Sequence, residues 1–201
     1  MHKKSIDFEK IVYRFTKNVL KKQIVNKKGV EMEVWDVYDI NRNRIEGRTS
    51  VRGSDDMNDD EFHLVIFAVV CDSDGKLLCS LRDRNKMFGG TYEFCGGSAL
   101  SGETSRQAAE RELLEETGLN VSNAKGKIIF QNTKYWKGSN WFYDVWLFEC
   151  DFDMGKLIPQ AGEVERIEKF SFNEVKTLLE EKNFTGITGE FIDVIGEKIK
   201  K

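Results

Sequence analysis

Apolar and polar positions alternate in two rhythms along this chain, and the change of rhythm marks its elements. Phe8, Ile11, Val12, Phe15 and Val19 recur at helical spacing, which predicts an amphipathic helix over residues 7–22 ending before Gly29. From Met32 to Tyr38 the residues favour a strand, Asp39–Arg44 supplies a polar turn, and Ile45–Val51 returns, so a β-hairpin over 32–51 is expected. After the acidic stretch Asp55–Glu61, strands are expected at His63–Cys71 and Lys76–Leu81, joined at Ser73-Asp74-Gly75. Tyr92–Cys95 reads as a short strand entering a glycine turn, and a helix covers 105–117. Strands at 127–132, 141–151 and 166–172 follow, then helices at 173–181 and 188–200. The elements mix without regular βαβ alternation, which argues for an α+β class. The expected division is an extension, 1–31, and one domain, 32–201.

Composition changes this picture in three places. At 40% hydrophobic and 32% charged residues, the chain is expected to fold and not to be disordered. Residues 1–31 hold nine Lys/Arg against three Asp/Glu, a net of +6 that leaves −9 for the rest of a chain totalling −3. That balance gives no general reason to bind nucleic acid. The helix stripe in this basic segment is expected to pack on the domain or on a second copy in a homodimer, with a membrane surface as the alternative. The longest apolar run, Leu64 to Cys71, is too short to span a bilayer, and no secretory signal follows the first basic residues. Cys71, Cys79, Cys95 and Cys150 form no CxxC pair, which fits reduced thiols in a cytoplasm.

The candidate chemistry lies in residues 96–119. Thr104 and Gln107 have capping-box spacing, and Gly118 is placed to end the helix in a left-handed conformation. Between them Glu112, Glu115 and Glu116 stand at i, i+3 and i+4 and share one face, with Ala109 and Leu113 beside it to anchor the helix. Such Glu-rich faces are commonly just solvated, but these three acids repel one another with only Arg111 near to balance them. A hard divalent cation with oxygen ligands, Mg²⁺ above all, would resolve that repulsion and can bridge a diphosphate and activate water. Gly96 and Gly97 fit either a simple tight turn or a close approach that offers a carbonyl oxygen as a neutral ligand.

The run Gly97-x5-Glu103-x7-Arg111-Glu112-Leu113-x-Glu115-Glu116-x-Gly118-Leu119 resembles the box of the Nudix hydrolases, MutT-like enzymes, without a departure over residues 97–119. The resemblance implies an α/β/α sandwich with a mixed sheet. It also implies hydrolysis of a nucleoside diphosphate linked to another moiety, or a similar phosphorylated small molecule, with Mg²⁺ or Mn²⁺. Carried onto these positions, Glu112 and Glu116 hold the metal, and Glu115 holds metal or activates water. Arg111 orients a glutamate of the box, Glu103 sits at the edge of the metal cluster, and Gly97 or Gly96 offers the carbonyl. Glu163, with Glu165 behind it, is the candidate for a later glutamate acting as base.

The segments Trp35–Asp39, Glu61–Val65 and Gly97–Glu103 further resemble a bacterial subgroup related to isopentenyl-diphosphate isomerase. In that reading Cys95 is the catalytic thiol and His63 a metal ligand. Yet Gly97 and Asp56 stand where two further histidines are needed, so hydrolysis is the better expectation. A non-catalytic nucleotide-binding module is the other alternative, and the intact box acids weigh against it. Arg82, Arg84 and Lys86 are candidate phosphate contacts or a solvated charge cluster. Trp136, Trp141 and Phe142 are candidate base-stacking residues or core. Phe88-Gly89-Gly90 departs from the subgroup, which tends to carry proline before glycine.

Overall fold

The computed structural model describes residues 8–16, 19–26, 31–136 and 138–199. Among the described residues there are twelve strands and three α-helices. The strands are β1 (Phe8–Thr16), β2 (Val19–Asn26), β3 (Glu31–Met32), β4 (Val34–Tyr38), β5 (Arg44–Val51), β6 (Phe62–Cys71), β7 (Lys76–Arg82), β8 (Tyr92–Glu93), β9 (Cys95–Ser98), β10 (Lys125–Lys134), β11 (Asn140–Glu149) and β12 (Val164–Ser171). The helices are α1 (Ser105–Thr117), α2 (Phe172–Glu180) and α3 (Ile192–Ile199). This mixture is the expected α+β class.

The described residues of 7–22 form strands and not the expected helix: β1 and β2 pair antiparallel from Phe8↔Asn26 to Thr16↔Val19, and β3 adds to β2 through Ile24↔Met32. Residues 7, 17 and 18, with the rest of 1–7 and 27–30, lie outside the described residues. The segment carries Ile, Val and Phe repeatedly, whose branched and aromatic side chains suit a pleated surface. Ile11, Tyr13 and Phe15 alternate as readily as the helical set recurs, and the alternation wins.

The chain forms two compact units. One comprises Met1–Val65, Ser98–Thr104 and Asn132–Tyr143; the other comprises Ile66–Gly97, Ser105–Gln131 and Asp144–Lys201. In the first unit β4 and β5 form the expected hairpin, in register from Val34↔Val51 to Tyr38↔Arg44. Its turn is shaped by Asp39, whose carboxylate accepts from the backbone N–H groups of Asn41 and Asn43, both at 2.9 Å. β4 also pairs with the start of β6 at Tyr38↔Phe62. Phe62 stacks on Phe142 with ring centroids 4.6 Å apart, and His63 stacks on Trp35 at 4.0 Å. Glu61 is buried against Arg48, which reaches both of its oxygens at 3.0 and 2.9 Å.

In the second unit β7 lies between β12 and β8 and meets β6 at Cys71↔Leu77. Gly75, at φ +74°, makes the expected turn between β6 and β7. Ala108, Ala109 and Leu113 of α1 are fully buried, and Phe191 packs near both Phe67 and Phe130. Ser171 and Glu174 form a capping box that starts α2. The last helix begins later than expected: a 3-10 turn at Gly186–Glu190 precedes α3, because Gly186 and Gly189 weaken the helix there.

Candidate active site

Helix α1 presents the box acids. Its start is pinned inside the second unit by Ser105, whose hydroxyl donates to Asp144 at 2.6 Å and accepts from the Trp146 indole at 2.8 Å. Its end is fixed by Gly118, at φ +74°, whose N–H bonds to the Leu114 carbonyl at 3.0 Å. Gly96 and Gly97 lie within strand β9 and not in the expected turn, and their backbone is closely approached by its neighbours. A side chain on Gly97 would collide with the Glu112 carboxyl group, and one on Gly96 would collide with the Ile66 carbonyl.

Arg111 ties two of the acids together: one nitrogen, Nη1, donates to Glu112 at 2.7 Å and to Glu115 at 3.0 Å. The three acids differ sharply in environment. The Glu115 side chain is 40% exposed and Glu112 14%, while Glu116 is only 8% exposed. Glu116 Oε2 is buried with no hydrogen-bond partner. Burial pushes its carboxyl well above the ordinary range, and the charges of Glu112 and Glu93 push it further. A buried carboxylate oxygen without a donor is costly unless something positive answers it.

Glu93, on β8, is a site residue the motif did not announce. It is nearly buried and takes Arg82 Nη1 on both oxygens, at 2.5 and 2.6 Å. Burial nevertheless carries its pKa up to about 7, against the opposing charge of Arg82. The only sequence signal was its place in a short strand opposite β7, where Ser80 pairs with Glu93 and Leu81 with Tyr92. Cys95 lies beside this set, buried, its thiol 3.5 Å from the Ser80 hydroxyl. Burial and the nearby Glu116 charge push that thiol well above its usual range.

The remaining candidates separate. Glu163 is held by Lys86 in an ion pair, and Glu165 pairs with Arg84 at 3.2 Å. Arg84 is largely exposed, whereas the Arg82 side chain is only 24% exposed. Glu103 belongs to the first unit, where it accepts from the Leu100 N–H at 2.9 Å and braces the segment Ser98–Thr104. Phe142 is core, stacked on Phe62; Trp141 tilts against Tyr143, and Trp136 is 73% exposed. The loop at Phe88-Gly89-Gly90 is closed by Gly90 N–H to the Arg82 carbonyl at 3.0 Å, with Phe88 itself at φ +59°.

Among the described residues no three His, Cys, Asp or Glu side chains stand together as a ready-made metal cage. The donor chemistry still fits a hard cation. Glu116 offers an unanswered buried oxygen, Glu112 packs on the Gly97 backbone, and Arg111 is the positive charge that now balances Glu112.

The model of the NUDIX domain matches residues 61–193, which includes the whole box. The chain belongs to the Nudix family. It is 33% identical over 165 residues to a Nudix hydrolase of Listeria innocua, covering 80% of this chain and 89% of that one. The DR0079 crystal structure from Deinococcus radiodurans shares the fold, with a TM-score of 0.64 at 17% identity over 80% of this chain and 98% of that one. The Nudix domain of Shewanella oneidensis NrtR, crystallised with ADP-ribose, gives 0.56 at 15% identity over 69% and 89%. The mixed sheet and helices of this Nudix hydrolase agree with the α/β/α sandwich that the box implied.

Proposed function

We propose that this Nudix hydrolase cleaves a diphosphate linkage in a nucleoside diphosphate derivative with the help of Mg²⁺ or Mn²⁺. The observation that carries the reading is the unpartnered, buried oxygen of Glu116 on the same helix face as Glu112. Glu112, Glu116 and the Gly97 carbonyl would hold the cation. When bound, the cation supplies charge stabilisation on the bridging phosphate oxygens and a lowered pKa for attacking water. Arg111 orients Glu112 and Glu115 through its shared nitrogen. Glu115 is exposed enough to meet water as a base; Glu163 serves that role only by leaving Lys86. Arg82 contacts substrate phosphate, and Arg84, turned to solvent, contributes less.

The NrtR domain bound ADP-ribose, a nucleoside diphosphate joined to a second moiety, and that class is the first to test. The buried, neutral thiol of Cys95 does not favour isomerase chemistry. Among the described residues no helix is long and apolar enough to cross a membrane. A cytoplasmic setting fits the unpaired thiols of Cys71, Cys79, Cys95 and Cys150. Residues 1–31 are the segment for a homodimer contact, tested by deleting them and measuring mass in solution.

The deciding experiment is phosphate release from nucleoside di- and triphosphates, nucleotide sugars, dinucleotides and ADP-ribose with Mg²⁺, Mn²⁺ or EDTA. Metal-dependent release from any of them supports the reading and names the class. Nucleotide binding without release under any metal overturns it in favour of a binding module.

A further inference from the structure

Strands β7, β8 and β9 bring two pairs of side chains together: Ser80 of β7 meets Cys95 of β9, and Arg82 of β7 meets Glu93 of β8. The backbone beside this face is tied to the loop that meets the catalytic helix: the Asp83 N–H bonds to the Glu163 carbonyl at 2.9 Å, and in the same loop the Gln160 N–H bonds to the Glu116 carbonyl of α1 at 3.0 Å. Arg82 has little freedom there. Its Nε donates to the Met87 carbonyl at 2.9 Å, and its Nη1 is taken by both oxygens of Glu93 at 2.5 and 2.6 Å. Nη2 alone has no partner among the described residues, although the side chain retains contact with solvent.

A guanidinium fixed at two of its three nitrogens presents the third in one direction. A buried ion pair is weak as a stabiliser, because desolvation offsets most of its attraction. It is well suited to orientation, since the planar fork loses no further freedom when it binds. We propose that Glu93 is a positioning residue that aims Nη2 of Arg82 at a phosphate oxygen of the substrate. The proposal rests on the hydrolase reading of this site for its substrate, but not for its geometry. The loop 83–91 shares in the device, because the Met87 carbonyl is the second anchor.

The test is calorimetric binding of ADP and of inorganic pyrophosphate to the full chain in EDTA, with KM and kcat measured on whichever substrate the wild type cleaves. The variants are Arg82→Met, Glu93→Gln, Glu93→Asp and the Arg82→Met/Glu93→Gln pair. Arg82→Met and Glu93→Gln are each expected to weaken binding about tenfold, the worth of one charged hydrogen bond. The double variant is expected to be no weaker than Arg82→Met alone. The kinetic loss is expected to fall mainly on KM. Glu93→Asp keeps the charge but withdraws it by one methylene, and it is expected to lose affinity at an unchanged melting temperature.

Additive losses, wild-type affinity in Glu93→Gln, or tighter binding in that variant would each overturn the proposal. The last result would make Glu93 a mere competitor for Arg82. Wild-type protein that binds neither ADP nor pyrophosphate overturns it as well. Binding that follows the expected pattern without hydrolysis would sink the hydrolase reading and leave this one standing.

Discussion

The buried carboxylate of Asp36, on β4, accepts from the hydroxyl of Ser101 at 2.8 Å. Its other oxygen accepts from the Gly102 N–H at 2.9 Å, and Arg44 stands 3.2 Å away. The hairpin therefore holds the segment Ser98–Thr104, which carries the first acid of the box. Asp36→Ala removes the acceptor of the half-buried Ser101 hydroxyl and of the Gly102 amide, together with the anion facing Arg44. The expected loss is about 2–3 kcal/mol of stability by urea unfolding. Hydrogen exchange at Gly102 should accelerate in the same variant, and protection equal to wild type would refute the link.

Glu116→Gln separates the role of the charge from the role of the fold. A neutral amide removes a buried carboxyl whose charged form burial disfavours, so the metal-free variant should melt no lower than wild type. Its turnover should fall by roughly two to three orders of magnitude, the usual scale for an electrostatic group at the reacting centre. The stabilisation that Mg²⁺ gives wild type should disappear, because a ligand stabilises only the state that binds it. An unchanged rate would remove Glu116 from the machinery.

Gly97→Ala tests the close approach. The added methyl group must displace the Glu112 carboxyl, so activity should drop by about tenfold or more, as a misplaced catalytic group costs. Arg111 should lose its bond to Glu112, and the metal concentration for half-maximal rate should rise. Normal metal dependence in this variant would show that Glu112 tolerates the shift.

His63 makes stability depend on pH. Burial, helped by the charge of Arg52, depresses its pKa from 6.5 to about 4, and Nδ1 has no partner. Between those values the unfolded chain binds a proton that the folded chain refuses. The contribution is therefore intact above pH 6.5 and is lost as pH falls towards 4. His63→Phe keeps a ring on Trp35 and cannot titrate. The stability gap between wild type and this variant should shift by roughly 3 kcal/mol across that window, at about 1.4 kcal/mol per pKa unit. Parallel pH curves would place the proton elsewhere.

Much of the site was legible in advance because its signals are local. Glu112, Glu115 and Glu116 share a face through helical spacing, and Gly118 stops the helix through its own φ, whatever lies around them. The N-terminal strands are ambiguous in sequence because Phe8, Ile11, Val12, Phe15 and Val19 satisfy the helical period while Ile11, Tyr13 and Phe15 satisfy alternation. Only strand pairing decides between the two. Phe142 looked like a base-stacking candidate for a similar reason, since its stacking partner Phe62 is distant in sequence.

The sequence by itself determined the family, the catalytic helix and the acids that share one face of it, since spacing and chirality act over a few residues. Tertiary structure decided how those residues behave. It buried one oxygen of Glu116 without a partner, set Glu93 against Arg82 and gave Glu163 to Lys86. Charge and solvation depend on what packs from distant strands, and no local pattern encodes that neighbour.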